Sequence, residues 1–353
     1  MLKTNPATAS QSSSLSSKKA IHKRMSMSIS IPSLSRLSSI GSAMALYSPR
    51  KHRCYHNRSK SLPSRLQGHP ILTDKVERLQ ESCSSSSCFG TDWLGQALEV
   101  SVNCFSNLSN IKIDMEGMES KRMNGHLDDI LHLLEVCNLL RDSIAEIRKQ
   151  HTCVQVAIRG LGPAFTPSVH ALERVRIALG TWLRKKKDTH SQLDKCISIL
   201  RRMAENLNVE DKARVTEDAM NMNHAKSITI MVCSTLVTAL SFKTSHMRLP
   251  SLPLPTHFTC LQHKLKEAFE MRKRASSSSR SLHELEAVDI ALGDLNNLLN
   301  SKSKLQLPLH LSPSTSALYE LEIVLPPLEH KIDRLFKFLI SARVALLNSL
   351  SSQ

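Results

Sequence analysis

Ser61 lies in a short stretch, RSKSLPSR, whose residue types match the substrates of basic-directed protein kinases. Arg58 stands three residues before this serine, and Pro63 stands two residues after it. Together with Ser59, these residues also match R-S-x-S-x-P, a pattern that phosphoserine-binding proteins of the 14-3-3 type read. The chemistry expected here is phosphoryl transfer to Ser61, followed by capture of the phosphoserine by such a partner.

Two further serines have the arginine of this pattern without its proline. Arg36 precedes Ser39 by three residues, and Arg274 precedes Ser277 by three residues. A basic-directed kinase reads the arginine side, so both serines are weaker matches of the same kind. The sequence therefore predicts phosphorylation at Ser61, Ser39 and Ser277.

The positive charge of the chain is concentrated at its N-terminal end. The first 73 residues contain twelve Lys or Arg and no Asp or Glu, so they supply most of the formal net charge of +16. Residues 1–90 are also rich in serine, which predicts a disordered basic tail. Such a tail suits an anionic membrane surface, and each phosphate would cancel about 1.5 to 2 of its charges.

The same tail has to be interpreted as a targeting segment or as a retained tail. A basic, serine-rich and acid-free leader is typical of organellar transit peptides, but cytosolic and nuclear tails share this composition. Cleavage after RSKSLPSR would discard the predicted kinase site. The sequence therefore favours a cytoplasmic or nuclear protein, with peripheral membrane attachment as a variant, over a plastid protein.

Nine cysteines are scattered along the chain, which indicates free thiols in a reducing compartment. His52, Cys54 and His56 form one cluster upstream of Cys83 and Cys88, and these are residue types that bind zinc. Their spacing matches no standard zinc finger. We therefore predict no metal ion at these residues.

After residue 90, apolar residues recur at steps of three and four, which predicts amphipathic helices. The longest stripe, over residues 121–161, includes Leu134 and Leu140. A second stripe near the C-terminus includes Leu335 and Leu339. These four leucines are predicted to lie in the core.

The helical pattern predicts an all-α fold, a bundle of long antiparallel helices in residues 91–353 behind the disordered tail. No run in this body shows convincing strand alternation. Pro326 and Pro327 are expected to kink or restart the last helix, and a polar loop is expected before Ser314.

An uncharged run between Lys226 and Lys243 has two interpretations. Its 16 residues, 227–242, are fewer than the about 20 that a membrane-spanning helix needs, and six of them are Ser or Thr. A buried bundle helix is favoured, and a segment that touches a membrane is the alternative.

No nucleotide-binding loop, G-x-S-x-G or HExxH pattern occurs in the chain. The basic stretch WLRKKK, residues 182–187, falls at a predicted helix end, where cations offset the helix dipole. Aromatic residues make up only 4% of the chain, too few for stacking on single-stranded nucleic acid. We predict no enzyme activity, no cofactor and no nucleic-acid partner.

Three blocks of the chain resemble one plant family. They are YHNRSKSLPSRLQGHP near the N-terminus, LLEVCNLLRDSIAEIRKQ in the centre and LEHKIDRLFKFLISARVALLNSLS near the end. The family is catalogued as a plant domain of unknown function and includes the BYPASS proteins. The resemblance implies a helical plant protein linked to root and shoot development, and it implies no catalytic residue.

The leading functional hypothesis is a non-enzymatic regulatory protein that acts through protein partners and is controlled by phosphorylation of its tail. The alternative is a membrane-associated trafficking factor. In that alternative the basic tail meets anionic lipid and the segment 227–242 inserts.

Overall fold

The computed structural model describes residues 70–84, 87–110, 120–161, 168–188, 190–210, 217–241, 249–274, 281–301 and 307–351. Within these ranges the chain forms nine α-helices, a 3-10 helix at Ser87–Phe89 and no strand. The all-α helical bundle expected from the sequence is therefore confirmed. The helices are α1 Pro70–Ser82, α2 Thr91–Asn110, α3 Ser120–Arg159, α4 Val169–Asp188, α5 His190–Glu210, α6 Glu217–Leu240, α7 Thr256–Arg274, α8 His283–Asn300 and α9 Leu307–Ser351.

Two helices organise the core. The long C-terminal helix α9 packs against α2, α3 and α8, and α6 packs against α2, α3 and α5. Almost every residue of α6 from Ala225 to Leu240 is buried, so this part of the helix is covered all round rather than along one stripe. Residues 227–241 of the uncharged run thus lie inside the bundle, which leaves this part of the segment considered for membrane insertion without an exposed apolar face. None of the described helices has the length and apolar character to cross a membrane.

The predicted core leucines are not all equally covered. Leu140, Leu335 and Leu339 have no exposed surface. Leu134 is half-buried and packs against the edge of the core, because its neighbour Leu133 takes the buried position on α3. A helix turns about 100° per residue, so two adjacent leucines cannot both point at the centre of a bundle.

The ordered body begins earlier than residue 90, which corrects the boundary expected from the sequence. Helix α1 buries Val76 and Leu79 against the core, and the Trp93 Nε1–H donates to the Leu79 carbonyl at 3.2 Å. Phe89, directly after the serine-rich stretch ESCSSSSC, is fully buried, and its ring centroid lies 5.5 Å from that of Phe269. Val76 and Leu79 lie three residues apart on one helix face. This stripe is short, and the serine-rich composition of residues 1–90 favoured a disordered tail instead.

Helix α9 also differs from expectation. It begins at Leu307, so the residues just before Ser314 are helical, where the sequence predicted a polar loop. The helix also continues through Pro326 and Pro327 without a restart. Each proline removes one backbone hydrogen bond from the helix. The buried side chains of Leu325 and Leu328 flank the pair, so packing against the bundle holds the helix together across the two prolines.

A buried ion pair joins α3 to α6. Lys226 has no exposed surface, and its Nζ lies 2.6 Å from Asp129 Oδ2 and 2.9 Å from His126 Nδ1. A lysine ammonium has only donors, so His126 Nδ1 accepts this hydrogen bond. Burial, reinforced by the charges of Lys226 and Arg122, lowers the pKa of His126 to about 3. The imidazole is therefore neutral in the folded chain, as its contact with the ammonium requires.

Replacing Leu335 or Leu339 by Ala should lower the free energy of unfolding by about 2–5 kcal/mol, because each change leaves a cavity in the core. Leu347 of the same helix is 41% exposed, so Leu347→Ala is a matched control with a much smaller expected effect. Urea unfolding followed by circular dichroism measures the three variants. Equal losses at all three positions would contradict the assigned core.

The variant Lys226→Met should lose about 3–5 kcal/mol of unfolding free energy, because it leaves the carboxylate of Asp129 buried without its cation. In the double variant Lys226→Met with Asp129→Leu, both charges are gone and most of the loss should be recovered. Chemical denaturation of the two variants tests this. A double variant no more stable than Lys226→Met alone would show that the pair is not the source of the cost.

The titration of His126 should make the folded state pH-sensitive. Below its ordinary pKa of 6.5, His126 binds a proton when unfolded but not when folded, until about pH 3. Stability is therefore full above about pH 6.5 and falls as the pH is lowered, by at most about 1.4 kcal/mol per pH unit from this group. In His126→Asn the amide oxygen keeps an acceptor for Lys226, and the slope between about pH 7 and about pH 5.5 should be smaller. Equal slopes in both proteins would refute this role.

Candidate functional site

An open groove runs between α3 and α4 and has a volume of about 730 Å³. Its two apolar walls are Val156 of α3 and Ile177 of α4, which are 62% and 59% exposed. Ala157 and Ala178 are half-buried between them and pack against the core. Exposed β-branched side chains cost solvation energy in a free monomer, so a groove of this kind is typical of a binding surface.

The charge of the groove has one sign. Lys149 of α3 and Arg174 of α4 are exposed lining residues, and neither makes an ion pair among the described residues. The described lining includes no carboxylate; its remaining polar residues are Thr152, Cys153 and Thr181. By contrast, Arg176 on the same helix is paired with Glu173 at 3.1 Å. The groove therefore offers apolar area framed by two cations.

The described lining of the groove is suited to binding. Acid–base chemistry needs a proton acceptor close to a reacting group, and the described lining holds neither histidine nor carboxylate. Cys153 supplies the one thiol, without a base beside it in the lining. What the groove supplies is contact area for an elongated apolar ligand and two positive charges for an acidic one.

Two smaller clefts are less suited to a partner. One, of about 240 Å³, lies between α5, α6 and the segment 249–251, and it is lined in part by Arg201 and Glu205. The other, of about 380 Å³, lies between α3 and α9 beside Tyr319. Both are smaller than the α3–α4 groove, and the first contains charges of both signs.

The predicted modification sites lie outside the described residues. This applies to Ser61 with Arg58, Ser59 and Pro63, and it applies to Ser39 and Ser277. The structure thus adds nothing to the predicted phosphorylation and 14-3-3 binding, which stay predictions. His52, Cys54 and His56 lie outside the described ranges as well. Within those ranges no three His, Cys, Asp or Glu side chains are grouped so that they could hold a metal ion.

Sequence reasoning missed the groove, although a signal was present. Val156 falls between Val154 and Ile158, the stripe positions that enter the core, so it is an apolar residue on the outer face. Ile177 stands in the same relation to Val175 and Leu179 on α4. Apolar residues off the stripe mark surface patches, but only the packing of α4 on α3 shows that the two patches are neighbours.

Helix ends supply a second contact that the sequence did not reveal. The Glu284 Oε1 of α8 accepts hydrogen bonds from the Thr91 backbone N–H at 3.1 Å and from its hydroxyl at 2.6 Å. Glu284, in the first turn of α8, thus caps the first turn of α2. Trp182 of the WLRKKK stretch is fully buried, and its Nε1–H donates to Asp289 at 2.9 Å.

Comparisons with known proteins agree with the resemblance of the three sequence blocks. A relative from Arabidopsis thaliana, "Protein BPS1, chloroplastic", is 23% identical over 304 residues, which cover 80% of this chain and 84% of the relative. No solved structure matches the chain.

The name of this relative corrects the expected compartment. The sequence favoured the cytoplasm or nucleus over a plastid, whereas the relative is named chloroplastic, so that expectation is wrong. Its error was to give the short block RSKSLPSR more weight than the composition of the whole leader, which is basic, serine-rich and free of acid over 73 residues.

A family model described as Protein BPS1 matches residues 98–348, which include the groove and all or most of eight of the nine helices described. The match spans well over half of the 353 residues. The chain therefore belongs to the Protein BPS1 family.

Proposed function

We propose that this chain is a non-enzymatic regulatory protein of plant root and shoot development that binds a protein partner in the α3–α4 groove. The observation that carries the proposal is the pair of exposed apolar walls, Val156 and Ile177, on helices whose other faces are buried. The developmental role rests on the family resemblance. The absence of acid–base groups from the described lining favours binding over catalysis.

The partner element that fits best is an amphipathic helix with acidic residues beside its apolar face. Two helices of this chain form the groove, and a third helix can lay an apolar stripe between them. Acidic side chains on its flanks would meet Lys149 and Arg174. Complementary charge of this kind sets orientation and association rate more than affinity, which the apolar contacts supply.

The N-terminal tail of the same chain is a poor occupant of this groove. Its first 73 residues carry twelve Lys or Arg and no acidic residue. Placing that segment against Lys149 and Arg174 would bring like charges together, which costs free energy. A separate, acidic partner is therefore favoured over an intramolecular contact.

The proposal also assigns a role to the basic N-terminal tail. We assign the chain to the plastid, because its relative is named chloroplastic and its leader has the composition of a transit peptide. Phosphorylation of Ser61 and reading by a 14-3-3 protein would then act on the chain before the leader is removed.

The groove can be tested by charge substitution at an exposed wall. Val156→Glu should weaken binding of the partner by at least about tenfold, because it places a carboxylate where an apolar side chain must dock. Val344→Glu is the matched control, since Val344 is 49% exposed on α9, outside the groove. Partners captured from plant tissue by the wild-type chain are identified, and binding of each purified partner to both variants is measured by calorimetry.

A charge swap then separates a specific contact from general loss of affinity. Arg174→Glu should bind the partner more weakly, and changing the facing acidic residue of the partner to Lys should restore binding. The proposal fails if every purified partner binds Val156→Glu as tightly as it binds the wild-type chain.

A further inference from the structure

Cys83 and Cys88 lie next to each other between α1 and α2. Cys83 follows the last residue of α1, and Cys88 is the central residue of the 3-10 helix. The two side chains are close enough for each thiol to shift the pKa of the other, and both cysteines are free. Cys83 retains 8% of its exposure, whereas Cys88 has none.

The surrounding backbone holds the two cysteines in this position. The Cys88 N–H donates to the Ser84 carbonyl at 3.3 Å, which brings the chain back upon itself by one turn. The Ser84 N–H donates to Ser87 Oγ at 2.9 Å, and the Ser87 N–H donates to Ser84 Oγ at 3.0 Å. These reciprocal bonds form a serine clasp, Ser84 and Ser87, that lies between the cysteines in sequence and fixes their approach.

The two thiols differ in acidity. The hydrogen bond from Cys88, and to a smaller extent the ammonium of Lys264, lower the pKa of Cys83 against the opposing effect of burial. The same hydrogen bond, together with burial, raises the pKa of Cys88. Of the two, the Cys83 thiol is therefore the one that forms a thiolate more readily.

Three other thiols show what an unreactive site in this chain looks like. Cys137, Cys196 and Cys233 are buried in the core, where burial raises the pKa of each thiol. For Cys196 and Cys233 the pKa reaches about 12. No cation near them offsets burial strongly enough to favour a thiolate, so they are expected to stay reduced.

We propose that Cys83 and Cys88 are a redox-active dithiol that closes to an intramolecular disulfide in exchange with a small disulfide such as oxidised glutathione. Cys83 is the attacking residue because it keeps a small exposed surface, whereas Cys88 has none. The Cys83 sulfur attacks one sulfur of the small disulfide, forms a mixed disulfide and expels one thiolate.

The second step completes the exchange. The Cys88 sulfur attacks the Cys83 sulfur and expels the second small thiolate, and the two protein protons pass to the two expelled thiolates. Two protein thiols are thus oxidised by two electrons, and the small disulfide is reduced to two thiols. The new bond joins the end of α1 to the 3-10 helix, beside the point where Lys264 of α7 donates to the Gln80 carbonyl at 2.5 Å. Oxidation therefore fastens α1 to the body.

Peptide mapping of the full-length chain tests the proposal. Cleavage before aspartate releases residues 74–91, a peptide that contains Cys83 and Cys88 and no other cysteine. After treatment with oxidised glutathione, this peptide should lose both alkylatable thiols and the mass of two hydrogen atoms, and reductant should restore both. Exposed Cys153, which has no partner thiol assigned, should instead gain one glutathione or stay alkylatable.

Two variants assign the order of attack. In Cys88→Ala, Cys83 should retain glutathione as a stable mixed disulfide, because the resolving thiol is gone. In Cys83→Ala, Cys88 should stay unmodified, because it is buried. Circular dichroism confirms that each variant is folded, and the wild-type map decides the question if either is not.

The proposal is overturned if both cysteines of the wild-type peptide remain alkylatable across glutathione buffers that oxidise a control dithiol. It is also overturned if each cysteine carries its own glutathione, or if either is linked to a cysteine outside residues 74–91. Glutathione on Cys88 in the Cys83→Ala variant would refute the assigned order.

Discussion

The buried charge of Lys226 constrains the arrangement of the whole bundle. An ammonium without exposed surface is tolerated only where a carboxylate and an acceptor lie beside it, and Asp129 and His126 of α3 supply both. This requirement fixes the register of α6 against α3, because sliding either helix by one residue would separate the charges. Apolar contacts, which are not directional, could not by themselves select one register so strictly.

Once α6 fixes α3, further ion pairs of α3 set how α9 lies on it. Arg141 and Arg148 of α3 pair with Asp333 and Glu329 of α9 at 2.7 and 2.6 Å. These pairs are partly exposed and add little stability, but they select the orientation of α9. With α6 and α9 on α3, the strip that carries Val156 is left uncovered beside α4. The groove thus results from the way in which α6 and α9 cover other parts of the α3 surface and leave the part beside α4 exposed.

The sequence predicts what depends on periodicity and fails where tertiary placement decides. The stripe through Leu140 reveals a long helix because every third or fourth residue enters one core. Lys226 looked like the charged boundary of an uncharged run, because no local pattern shows that Asp129, nearly one hundred residues earlier, meets it. The serine-rich stretches on either side hid α1, in whose described part Val76 and Leu79 are the buried residues, too few for a clear stripe. Val156 and Ile177 are each recognisable as off-stripe residues, but their adjacency exists only in three dimensions.

The groove and the dithiol also differ in where they lie along the chain. Residues 149–181, which line the groove, fall within the family match at residues 98–348, whereas Cys83 and Cys88 precede it. The groove therefore belongs to the shared body of the family, and a partner that docks there is expected to recognise that body. The proposed dithiol lies at the junction between the basic N-terminal segment and this body, because its disulfide would fasten α1, the first helix that the structure describes, to the 3-10 helix Ser87–Phe89. The proposed partner binding and the proposed redox chemistry thus rest on separate parts of the structure, and a change in one need not alter the other.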